Sequence, residues 1–104
     1  MYLIRANIHL NNEHRKEPIS GTVYRPLLYF SSSIIRSGLM DLEDKPSLEM
    51  DKSYENILFK IYFYSDIDCE KEFFIGRKFD IAEGSNVIGL GEIVDVIGIK
   101  KTKN

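Results

Sequence analysis

Asn56-Ile57-Leu58-Phe59-Lys60-Ile61-Tyr62-Phe63-Tyr64 is the stretch of this 104-residue chain that decides its class. Ile57, Phe59, Ile61 and Phe63 alternate with Leu58, Lys60, Tyr62 and Tyr64. A period of two puts the two sets on opposite faces of a strand. β-branched and aromatic residues dominate it, as they do in pleated, half-buried segments. We place Ile57, Phe59, Ile61 and Phe63 inward.

The same period appears at the start of the chain. Tyr2, Ile4, Ala6, Ile8 and Leu10 share one face, and Arg5, Asn7 and His9 the other. Asn11–Thr22 is polar and turn-rich, with Pro18 and Gly21, and reads as a surface loop. Leu27–Phe30, just after Pro26, reads as a strand start. Ser31–Ser33 are expected to line a sheet face, with pairing continuing to Ile34 and Ile35. Met40–Glu55 is acidic and weakly periodic; it reads as a long loop from which Leu48 and Met50 dip into the core. Beyond the central strand, Ser65–Lys71 is a charged turn. Phe73–Ile81 and Val87–Ile97 are two further strands around the tight-turn signal Glu83-Gly84-Ser85. Gly89 and Gly91 inside the last strand signal a bulge, a barrel corner or a close approach of backbones. About six strands and no amphipathic helix predict an all-β fold, a single six-stranded antiparallel barrel over residues 1–104.

Composition bounds the function. The chain is 43% hydrophobic and 29% charged, enough apolar material for one core. Its 14 basic and 16 acidic residues leave a net charge of −2, which gives no global attraction to nucleic acid or to an anionic membrane. Cys69 is the only cysteine, so no internal disulfide and no Cys/His metal spacing is expected. Met1–Leu10 alternates too regularly for a signal peptide, and Ile88–Ile99, broken by Glu92 and Asp95, is too short to span a bilayer as a helix. A cytoplasmic setting without membrane contact is the expectation.

Two runs carry a resemblance. The first is Arg15-Lys16-Glu17-Pro18, then Gly21, Tyr24-Arg25-Pro26 and Tyr29-Phe30. The second is Gly76-Arg77-Lys78-Phe79-Asp80-Ile81-Ala82-Glu83-Gly84, then Val87-Ile88-Gly89-Leu90-Gly91, closing on Val96-Ile97-Gly98. Together they resemble the C-terminal (third) domain of elongation factor Tu, across nearly the whole chain and in one order. The resemblance implies a six-stranded antiparallel barrel that engages tRNA or a translation-related protein. The departures are specific. There is no Gly-x-x-x-x-Gly-Lys-Ser/Thr phosphate loop and no Asn-Lys-x-Asp, so no guanine nucleotide is expected to bind. The sequence holds nothing like the factor's first two domains. One extra residue lies between Pro18 and Tyr24, and the family's Met-Pro-Gly-Asp turn is replaced around Met50-Asp51-Lys52-Ser53. Ala82 and Asn86 stand where the family is basic.

The candidate site residues follow from these runs. Arg25, between Tyr24 and Pro26, is either a bidentate ligand for phosphate or carboxylate or a structural arginine at a strand entry. Arg15, Lys16, Glu83 and Gly84 match the positions with which the family touches the backbone of the tRNA T stem, the glycine allowing close approach. Glu13 and Glu17 flank the two cations and nearly cancel them. Asp66, Asp68, Glu70 and Glu72 form an acidic run without the glycine and spacing of a calcium loop, and read as a solvated hairpin tip. His9 and His14 have no identifiable serine, cysteine or acid partner, and the carboxylates around Cys69 are expected to raise its thiol pKa. No cofactor, metal or enzymatic activity is expected. Two functions remain: a binding module for tRNA or a translation-factor partner, or a protein-interaction domain that kept the barrel and lost RNA binding.

Overall fold

The computed structural model describes residues 1–63 and 68–99. Nine strands and one helical turn are found among the described residues. In chain order they are β1 (Tyr2–Leu10), β2 (Ile19–Ser20), β3 (Val23–Tyr24), β4 (Leu27–Tyr29), β5 (Ile35–Asp41), β6 (Ser47–Leu48), β7 (Ser53–Ile61), α1 (Cys69–Glu72), β8 (Lys78–Glu83) and β9 (Asn86–Ile99). β5, β4, β8, β9, β1 and β7 pair edge to edge in that order, and β7 pairs back onto β5. Every pair in the ring is antiparallel. The result is a closed six-stranded antiparallel barrel plus one extra strand, β3. Closure leaves few strand edges open to a stray partner.

The extra strand has a simple origin. Val23 and Tyr24 pair with Asp41 and Met40, while Leu27 and Leu28 pair with Ser37 and Arg36. These pairs keep one register, so β3 is the upstream continuation of β4. The interruption falls at Arg25–Pro26. Proline has no N–H to donate to a ladder; its carbonyl still accepts a 3.3 Å bond from the Gly38 N–H.

The inward faces are those the alternation assigns. Ile4, Ala6, Ile8 and Leu10 are buried, as are Ile57, Phe59 and Ile61, and Phe63 packs partly buried against them. Aromatic rings form a continuous file through the interior: Tyr2 on Phe73, Phe73 on Phe30, Phe30 on Phe79 and Phe79 edge-on to Phe59, with centroids 5.2–5.5 Å apart. The Phe79 ring lies directly against Gly91, where a Cβ would overlap it. Close approach is therefore the reason for the strand glycines.

Several expectations are corrected. Ser31–Ser33 do not line a sheet face but form the β4–β5 turn, in which the Ile34 N–H reaches the Ser31 carbonyl at 3.3 Å. Met40 and Asp41 belong to β5 rather than to a loop. The stretch that follows contains β6, which pairs with β2 inside the other apparent loop. That small sheet is anchored by Ile19 and Leu48, both fully buried and paired to each other. β7 starts at Ser53, before Asn56; a register shift opposite Ala6–Ile8 breaks the alternation by which the earlier residues would read as strand. Asn56 takes a left-handed conformation (φ 57°), and its N–H donates to Asn7 Oδ1 at 3.1 Å.

Phe73 is not in a strand. It follows the single turn α1, which Asp68 caps by accepting from the Lys71 N–H. β8 begins only at Lys78. Asp66, most of the Ser65–Lys71 turn's first half and the Lys100–Asn104 tail lie outside the described residues. Among the described residues no helix is long and apolar enough to cross a membrane.

Candidate functional site

The β8–β9 hairpin turn carries Glu83 at the end of β8 and Gly84 in the turn itself. The loop after β1 brings Arg15 to it, 68 positions away in sequence, with Nη1 2.5 Å from Glu83 Oε2. Arg15 makes two further bonds, from Nε to the Glu17 carbonyl at 2.8 Å and from Nη2 to the Pro18 carbonyl at 3.1 Å. Its guanidinium also stacks 5.5 Å from the Tyr24 ring centroid. The Tyr24 hydroxyl donates to the same Glu83 oxygen. Burial, and then the Glu83 carboxylate, push the Tyr24 phenol well above its usual pKa, so it stays a donor. Each edge of the Arg15 fork is thus engaged within the chain. The arrangement ties the Asn11–Thr22 loop to the hairpin.

Gly84 sits at φ 60° with open space where a side chain would be, and its carbonyl accepts from the Tyr29 hydroxyl at 3.2 Å. Lys16 is exposed but faces a separate depression with Glu49 and Asp51. Of the residues singled out by sequence, Arg15, Glu83 and Gly84 therefore come together, and Lys16 does not join them.

Arg25 lies elsewhere, at the break between β3 and β4. It lines a cleft of about 580 Å³ with Pro26, Leu27, Ile35, Tyr62 and Phe63. Here the pairing of β5 with β7, on the edge opposite β3 and β4, comes to its end, the last bond being the Tyr62 N–H to the Ser37 carbonyl at 3.0 Å. Arg36 lines the same cleft but is held bidentately by Glu72 at 2.6 and 2.9 Å. Arg5 is paired with Glu43, and Arg77 stacks on Phe30 and Phe74. Among the described residues Arg25 is the one arginine with no ion pair, hydrogen bond or aromatic ring against its guanidinium. The structural role for Arg25, as a donor to strand-entry carbonyls, is not what the contacts show.

Two features escaped the sequence. His9 pairs across strands with Ser53, Nδ1 to Oγ 2.8 Å, a contact visible only once the β1–β7 register is known. Both side chains are exposed, and among the described residues no third group orients the other ring nitrogen, so the pair reads as a cross-strand hydrogen bond. Cys69 is buried at the start of α1; burial first, then Glu72 and Asp68, raise its thiol pKa. The carboxylates act as expected, but burial is the larger cause. Among the described residues no cluster of three His, Cys, Asp or Glu side chains is placed to hold a metal ion.

No protein-family model matches the chain, and no curated protein is significantly similar to it.

Proposed function

We propose that the chain is a non-catalytic binding module whose partner is a protein. The observation that supports this is the engagement of Arg15. A phosphate contact at the surface resembling that of elongation factor Tu would have to displace Glu83 and two backbone carbonyls from its guanidinium. The remaining cation, Lys16, lines a separate depression together with Glu49 and Asp51. At the positions where the family is basic, Ala82 is buried and Asn86 is neutral. Binding to an RNA stem draws on several cations at once, because each neutralised phosphate releases counterions. This barrel offers too few on that face. The resemblance then concerns the scaffold and the setting, a translation-related protein partner in the cytoplasm, rather than the RNA contact.

Fluorescence anisotropy with labelled bulk tRNA tests the reading. The native chain is expected to show no saturable binding even at low salt. Saturable binding abolished by the double change Arg15→Ala and Lys16→Ala would restore the tRNA function. Saturable binding that survives the double change would place RNA elsewhere on the chain. Either result contradicts the proposal.

A further inference from the structure

We infer that the Arg25 cleft docks an extended segment of the partner protein that carries a carboxylate beside an apolar side chain. The inference rests on reading the chain as a protein-binding module. Three properties of the cleft specify the occupant.

The first is charge. Among the described residues no carboxylate lines the cleft, and Arg36, its other cation, is neutralised by two bonds to Glu72. Arg25 therefore presents an uncompensated guanidinium, whose planar fork matches a carboxylate with two parallel hydrogen bonds. A single free cation suits one carboxylate far better than a run of phosphates.

The second is the wall. Pro26, Leu27, Ile35 and Phe63 are apolar, and Tyr62 adds an amphipathic ring. Ile35 is 42% exposed, a β-branched side chain at a strand end with nothing covering it among the described residues. Covering it removes apolar surface from water and supplies affinity that the charge pair alone would not. The volume of about 580 Å³ has room for a few side chains.

The third is preorganisation. Pro26 is buried and fixes its own φ, and the chain on both sides of the break keeps one register against β5. The Arg25 backbone is thus held in place before any partner arrives, which lowers the ordering cost of binding.

An array of short synthetic peptides of random sequence, probed with the labelled native chain, tests the inference. Retained peptides are expected to be enriched in Asp or Glu next to Leu, Ile or Phe. Resynthesis of the best peptide with Asn or Gln for its acid should weaken binding about tenfold, the effect of losing a charge-assisted hydrogen-bonded pair. Arg25→Ala should weaken it by a similar factor, and Arg25→Lys by less, since it keeps charge without the fork. Arg25 is exposed and unpaired, so both variants should melt with the native chain; a matched melt separates lost binding from lost fold. The inference is overturned if no peptide is retained, if the retained peptides lack acids, or if Arg25→Ala leaves binding unchanged. The protein-partner reading would then still stand or fall on the tRNA titration.

Discussion

Phe59→Ala is expected to unfold the barrel or bring it to the margin of stability. Phe59 is fully buried on β7, between Ile4 of β1 and Met40 of β5, and meets Phe79 edge-on at 5.5 Å. Truncation removes the ring that ends the interior aromatic file and leaves a cavity that flanking strands, hydrogen-bonded on both sides, cannot easily close. The expected cost is roughly 3–5 kcal/mol, against a total of about 5–15 kcal/mol for a domain of ordinary stability. Tyr62→Ala, on the opposite face and only half-buried, should cost clearly less. Urea unfolding followed by circular dichroism compares the two. A larger loss at Tyr62 would mean that β7 has been read inside out.

Gly89→Ala is expected to be the next most damaging change. A Cβ at this position would lie 2.6 Å from the His9 carbonyl oxygen and 2.9 Å from Leu10 Cδ2. The first of these atoms is backbone of β1, paired with β9 across the longest ladder of the barrel, and it cannot rotate away. Relief requires moving one strand off the other, at an expected cost of about 2–3 kcal/mol. Gly84→Ala provides the comparison. Its Cβ meets open space, and only the positive φ of 60° opposes it, a penalty of about 1 kcal/mol. The same urea melts read both. A Gly89→Ala loss no greater than that of Gly84→Ala would contradict the close approach of β1 and β9.

The parts of this fold that are legible in the sequence are those where one physical pattern repeats. Tyr2–Leu10 and Ile57–Ile61 alternate because each strand has one face in the core, and burial follows that alternation except at Leu3, which is buried on the other face. Gly89 and Gly91 are legible as constraints because only a missing side chain explains two glycines in an apolar strand. Short elements leave no period to read. β2 and β6 have two residues each and exist because Ile19 and Leu48 meet in space. α1 is a single turn set by the Asp68 cap, a signal that also fits a plain acidic turn. The strand break at Arg25–Pro26 is announced by the proline, but the common register on its two sides is not. The candidate site divides the same way. Motif positions point to Arg15, Glu83 and Gly84, which do meet, yet nothing local says that Arg15 would be engaged by Glu83 and two carbonyls. Arg25 emerges as the free guanidinium only when every other described arginine has been matched with its partner in three dimensions.

The central claim is that partner binding runs through the Arg25 cleft and not through the Arg15–Glu83 surface. Two-dimensional amide NMR of the isotope-labelled native chain tests it most directly, with the best acidic peptide from the array and bulk tRNA as separate titrants. The account predicts that the peptide moves the amide signals of Arg25, Leu27, Ile35, Ser37 and Tyr62 while those of Arg15, Lys16, Glu83 and Gly84 stay in place, and that tRNA moves none of them. Shifts with tRNA at Arg15, Lys16, Glu83 and Gly84, with the cleft silent toward the peptide, would contradict it.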